Sequence, residues 1–491
     1  MSLRLVLVVL VVAMSAGFAC QPADRPQTGG ERAQTQARQN DAPATAPSLT
    51  VEEWVASKGL RAGEADGQGL TLAHFAAAEG RLDVLEWLAG QGANVNAKAH
   101  LGDRDGYWSE RMEEWNIGRT PMHHAAEAGH VAVMAWLREH GADVGLRDTD
   151  GWVPLHFAAR AGHVQAMAWL AKQGADLNAE VDRGWSTMAL LDDRKTPMLL
   201  AIENGHIAAV KWLVGQGVEI GAKDRHAQWS MSVAAEGGHF EILKWLTEQG
   251  GDAMAKDYYG RTLIFSAASG GHVEIMRWLA DQGVEVNVND DWGWSPMYEA
   301  VGGGHIEAMK WLKARGVGVD EKDNRVGWTL MHRAAMIGQP DAMKWLAEQG
   351  ADVSAKGEHD RTPIFHAASL GYIEVMTWLA EQGAEVDVRD KYGGRPIDHA
   401  ASWGGLEATK WLVEQGADIH ASDMHGWTPL FRAAVMGKLD TVKWLAGQGA
   451  DINVKDAVGR TPLQYMQKEV WSYNQSALEV MEWLRANGGQ E

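Results

Sequence analysis

His123, His124, His130 and His140 lie within one stretch, TPMHHAAEAGHVAVMAWLREHGADV, from Thr120 to Val144. Imidazoles this close together bind transition metals or move protons near neutral pH. Glu127, Glu139 and Asp143 add carboxylates beside them. The spacing matches no zinc signature, and the chain has no HExxH, no CxxC pair, no P-loop and no nucleophile elbow. Asp103, Asp105, Glu110, Glu113 and Glu114 form a second acidic group, but without the spacing of a calcium loop. They read as a solvated charged loop.

The elements around these histidines recur. TPMHHAAEAGH at Thr120 returns as VPLHFAARAGH at Val153, TPMLLAIENGH at Thr196 and TPIFHAASLGY at Thr362, and an earlier copy, TLAHFAAAEGR, starts at Thr71. Further copies start at Trp229, Thr262, Ser295, Thr329, Arg395, Thr428 and Thr461, with a usual spacing of 33 residues. The frame is rigid in the first eleven copies: Ala five residues after the start, Gly nine after, Trp sixteen after and Gly twenty-one after. The slot of His123 holds Leu199, Ser232, Phe265, Tyr298 and Asp398 elsewhere, and that of His130 holds Arg81, Gln339, Tyr372 and Lys438. A metal site used by every copy would not tolerate such exchange. The histidines are expected to hydrogen-bond within and between copies.

Thr120-Pro121 starts a helix as N-cap and first helical residue, and Gly129 ends it. In a second helix Ile242, Trp245 and Leu246 make one apolar stripe, closed by Gly250. Each Trp is expected to bury about 150–250 Å². A unit this short cannot cover its own apolar face, so it must stack on its neighbours. The pattern TPLHxAAxxGH, a second helix and then GADVN resembles the ankyrin repeat from about Thr50 to Gly489, except that Trp-Leu stands where the family carries Leu-Leu. The resemblance implies an all-α ankyrin-repeat solenoid of helix-turn-helix units with hairpin-like fingers. About twelve repeats are expected over 50–491, with a half repeat at Trp54 and Gly59 and a C-terminal capping repeat at 461–489. It also implies binding through a concave face of fingers and first helices.

The chain opens with MSLRLVLVVLVVAMSAGFAC, in which Arg4 precedes an apolar run and small residues. This is a secretory signal over residues 1–20. Cys20, the only cysteine, resembles the lipidation cysteine of bacterial lipoproteins, although Gly17 stands where that family usually has Leu. The alternative is ordinary cleavage after Ala19. Gln21, rather than Asp, follows the cysteine, which by that resemblance favours the outer membrane. Residues 21–49 are polar and rich in Pro, Ala and Gln, a flexible tether.

Variable positions are where binding is expected. The finger Asn96–Gly118 is enlarged and carries Tyr107, Trp108 and Trp115, and the enlarged finger Asn178–Lys195 carries Trp185. Trp152, Trp294, Trp328 and Trp427 precede the copy starts, with Tyr258, Tyr259, Trp292 and Tyr392 nearby. Trp and Tyr with interspersed Arg compose binding hot spots; the alternative is packing on adjacent fingers. Trp229 starts its copy and reads as structural.

The net charge of -20 argues against nucleic acid and anionic lipid as partners. These observations favour a monomeric, exported, non-enzymatic scaffold in the envelope. It would hold a protein that is neutral or basic at the contact, use no cofactor or metal, and touch a membrane only through Cys20. Alternatives are a metal, small-ligand or catalytic site in the enlarged fingers, or a structural spacer.

Overall fold

The computed structural model describes residues 49–99, 118–181, 195–219, 225–469 and 475–490. They fall in two units, Met1–Gly59 and Leu60–Glu491. In the first, Thr50 caps the helix Val51–Lys58: its hydroxyl accepts the Glu53 N–H while the Glu53 carboxylate accepts the Thr50 N–H. Gly59 ends the helix in the left-handed conformation.

The second unit is an all-α repeat solenoid. Each copy contributes an inner helix and an outer helix, such as Pro121–Ala128 with Val131–Glu139 and Pro363–Leu370 with Ile373–Glu381. Inner helices pack on inner helices of neighbouring copies, and outer on outer. Thr120 is extended and Pro121 begins the helix, where a missing N–H costs nothing. The copy at Trp229 lacks the Thr-Pro start, and its inner helix runs from Arg225 to Glu236. Trp229 is 42% exposed, so the structural role read from its position is not that of a packed residue.

The core is built from slots on both helices. Met122, Ala125 and Ala126 are buried on one inner helix, and Val133, Met134 and Leu137 on its outer partner. The paired alanines carry so little bulk that the helices touch closely. The framework tryptophans differ from the expectation of uniform burial. Trp311, Trp345 and Trp378 are buried, while the other eight are half-buried at the edge of the Val-Met-Leu stripe. Each outer helix points its stripe at the inner layer, and the Trp sits one position round from it. No helix among the described residues is long and apolar enough to cross a membrane.

The fingers are turns organised by one aspartate. The Asp290 carboxylate accepts the N–H groups of Trp292 and Trp294, and the Asp290 N–H donates to the Trp294 carbonyl. Gly293 then supplies the left-handed residue. Successive tips are joined by main-chain hydrogen bonds: Asp291 N–H to the Tyr259 carbonyl, and Asn324 N–H to that of Trp292.

Candidate functional site

The histidines are tied into the scaffold. The Thr120 N–H donates to His123 Nδ1 at 3.0 Å, so the ring proton sits on Nε2, which donates to the Trp152 carbonyl of the next copy at 3.2 Å. His74, His156 and His332 repeat this bridge to Arg119, Ala179 and Arg361. Burial drives His123 down to about 3 and His156 to about 4, so both are neutral donors at physiological pH. His130 reaches the other way, with Nε2 at 3.2 Å from the Ala78 carbonyl of the preceding copy, and His206 does the same to Arg160. The His206 ring lies against Gly162, where a Cβ would come within 2.5 Å of Nδ1. His140 stacks on Trp136 and bonds to its carbonyl. Among the described residues no group of three or more His, Cys, Asp or Glu is placed to hold a metal ion.

The aromatic candidates divide by burial. Trp152 is only 8% exposed and packs in a cluster with Phe157, Val181 and Leu200. Trp294 is 6% exposed and stacks on Tyr298 with centroids 4.0 Å apart. Both correct the expectation that these two rings face a partner: Trp152 is enclosed by its cluster and Trp294 by its stack on Tyr298, which leaves almost no ring surface free. Trp427 is half-buried, stacked on Phe431 and edge-on to Tyr465. Trp328 is half-buried against His366 and fills the space beside Gly357, where a Cβ would lie 2.7 Å from its Cδ1. Tyr107, Trp108, Trp115, Trp185 and Cys20 lie outside the described residues.

Three candidates come together at the tips of two successive fingers. Tyr258 is 79% exposed and meets Tyr259 edge-on at 5.3 Å. Tyr259 lies 5.0 Å from Trp292 of the next finger. The guanidinium groups of Arg261 and Arg325 each lie 5.3 Å from the Trp292 ring. Arg261 also pairs with Asp290 and Glu299, both at 3.0 Å, which holds it in place. Tyr392 forms a smaller group with His359, 4.8 Å away on the preceding finger. There Asp360 stands where sister fingers have Gly, and both His359 and Asp360 are left-handed.

Neither Arg261 nor Arg325 is among the candidates expected from the sequence. The available signal for Arg261 was the slot preceding each copy start, which holds Arg at Arg119, Arg261, Arg361 and Arg460 and Trp at Trp152, Trp294, Trp328 and Trp427. Arg361 repeats the Arg261 geometry by pairing with Asp390 of the next finger at 3.1 Å.

The family described as "Ankyrin repeats (3 copies)" matches residues 105–181, 230–323, 282–357, 302–390, 331–423, 383–456 and 398–487, and "Ankyrin repeat" matches 68–100 and 193–225. No curated protein matches the chain. Ankyrin repeats generally mediate contacts between proteins and are typically non-enzymatic scaffolds. With matches over most of its length, and with Thr-Pro helix starts, histidine bridges and aspartate-organised fingers in place, this chain belongs to the ankyrin repeat family.

Proposed function

We propose that this chain is a non-enzymatic scaffold that holds another protein on its finger and inner-helix face. The observation that carries this reading is the Tyr258–Tyr259–Trp292 cluster, with Arg261 and Arg325 beside it, at the tips of adjacent fingers. Such rings give large contact area at low entropic cost, and the arginines add directed donors. The surplus of acid favours a partner that is neutral or basic at this contact, rather than nucleic acid. The proposed protein is a monomer, exported to the cell envelope, with the tether 21–49 linking it to a lipid on Cys20 in the outer membrane.

Two experiments test this. Immobilised full-length chain and its Tyr258→Ala/Trp292→Ala variant are exposed to envelope and secreted proteins. A protein retained by the first and lost from the second supports the finger contact. Identical retention refutes that face, and no retention refutes the scaffold reading. Separately, cells fed a labelled fatty acid should transfer label to the chain but not to Cys20→Ser; an unlabelled parent removes the lipid anchor from the proposal.

A further inference from the structure

The copies that start at Arg395 and Thr428 are joined differently from several of their sisters. In four copies a histidine three residues after the start donates to a main-chain carbonyl further along the array, as His74, His123, His156 and His332 do. Asp398 stands in that slot here. Other histidines reach back from the start of an outer helix, as His130 and His206 do, and their counterpart at this joint is Lys438. Neither kind of histidine bridge spans the joint.

The apolar core also divides here. Among the described residues, the buried cluster of the last two copies runs from Leu430 to Leu484 and takes in only Ala401 from the copy before. The inner helix that carries Ala401 is irregular. Pro396–His399 is α-helical, and Ala400–Gly404 is a π turn that puts the left-handed glycine at Gly405, one residue later than in sister copies. Such turns often occur at functional sites. On its other side this helix is pressed against the preceding copy, where a Cβ on Gly404 would meet the Ala368 carbonyl oxygen at 2.0 Å. It is held tightly behind and lightly ahead.

Asp398 carries an atom able to tie the forward side. One carboxyl oxygen accepts the Arg395 N–H, while Oδ1 is buried with no hydrogen-bond partner. A carboxylate has nothing to donate, but a carboxyl group with its proton on Oδ1 offers the neutral donor that histidine Nε2 supplies in sister copies. The charged groups acting on Asp398 are Arg432 from the following inner helix, Asp423 from the following finger and Asp390 from its own finger. Arg432 pairs with Asp423, and its Nε is buried without a partner. Arg395 pairs with Asp387, and on the adjoining outer helix Lys410 pairs with Glu407. Burial keeps His399 on the same helix and His366 on the preceding one neutral. A charge on Asp398 must take Arg432 from Asp423 or draw in water, and each parts the two copies.

We infer that Asp398 is a proton-operated latch between the copies at Arg395 and Thr428, closed when its carboxyl group carries a proton and weakened when it does not. Burial lifts this acid from the ordinary 3.8 to about 7. As pH rises from about 4 to about 7, the parted copies give up a proton that the joined copies keep, so parting becomes easier. Above about 7 both forms are charged and the dependence ends. The last two copies are thus held to the array more firmly in acid than at neutral pH, the reverse of a joint closed by histidine.

Amide exchange of the full-length chain at pH 5 and pH 8, corrected for intrinsic rates, tests the latch. Protection in Ala400–Gly404 and Pro429–Val435 should fall about tenfold or more between the two, while that in Pro121–Ala128 holds or rises. Asp398→Asn is neutral at both pH values and should remove the fall. Asp398→His should turn it into a rise. Circular dichroism checks that each variant folds, and the parent by itself remains decisive if one does not. Unchanged protection at the joint in the parent, a fall of equal size along the whole array, or a fall that persists in folded Asp398→Asn overturns the inference.

Discussion

His123 in one repeat donates from Nε2 to the main-chain carbonyl of Trp152 in the next, across 3.2 Å, and is itself fully buried. The same ring accepts the Thr120 N–H, so one side chain closes a helix start and joins two copies.

This bridge makes the fold acid-sensitive. The native ring titrates at about 3, against the ordinary value near 6.5, so between those values the unfolded chain binds the extra proton and stability falls as pH falls. Each such ring contributes a loss of up to about 1.4 kcal/mol per pH unit below 6.5. In the last copy Gln464 fills the slot and its side chain accepts the Thr461 N–H. His123→Gln should therefore keep most stability at pH 7 and lose less on acidification to pH 5. His123→Leu should cost about 1–3 kcal/mol at pH 7, because it strands the Trp152 carbonyl. Melting curves at the two pH values check both; parallel acid losses in parent and His123→Gln would contradict the assignment.

Asp398 occupies the same slot with the opposite sign. One carboxylate oxygen accepts the Arg395 N–H at 2.8 Å, while Oδ1 is buried without a partner. Burial pushes this acid up to about 7, opposed by Arg432 and reinforced by Asp423 and Asp390. Native Asp398 keeps its proton where the unfolded chain has lost it, so its contribution is present below about pH 4 and is lost as pH rises to about 7. Asp398→Asn should be neutral at pH 4 and stabilising by roughly 2–4 kcal/mol at pH 8. Chemical denaturation at both pH values decides this, and equal effects at the two would contradict it.

The framework tryptophans should not be equivalent. Trp345→Ala, at a buried site, should cost about 3–5 kcal/mol. Trp169→Ala, at a half-buried site, should cost roughly 1–2 kcal/mol. Each copy touches only its neighbours, so amide exchange should accelerate around the altered copy first. Uniform acceleration along the whole array would show cooperativity that the stacking does not supply.

Two glycines should respond in opposite directions. Gly90 ends a helix with nothing within 4 Å of a built Cβ, and Gly90→Ala should raise stability by about 0.5–1 kcal/mol. At Gly404 a Cβ would sit 2.0 Å from the Ala368 carbonyl oxygen. Gly404→Ala must push two inner helices apart and should lower the melting temperature.

Much of the fold was legible from local signals. Thr-Pro starts, glycine stops and the paired alanines act within one copy, so their recurrence revealed helices, fingers and the scaffold role of His123. Burial was less legible. Trp152 and Trp294 share their slot with Trp328 and Trp427, yet only the first two are buried. The difference lies in what surrounds each ring: Trp152 packs in a cluster with Phe157, Val181 and Leu200, whereas Trp328 meets His366 edge-on.

The sequence by itself determined that the chain is an array of helix pairs and where each pair begins and ends. These are short-range matters of capping, backbone freedom and a repeating apolar pattern. Tertiary structure alone decided that Tyr259 meets Trp292 across a repeat, that a π turn presents Trp403, and that Arg333 has donors but no acceptor. The contact of Tyr259 with Trp292 is a relation between side chains one repeat apart, set by how neighbouring copies stack and not by the preference of either residue.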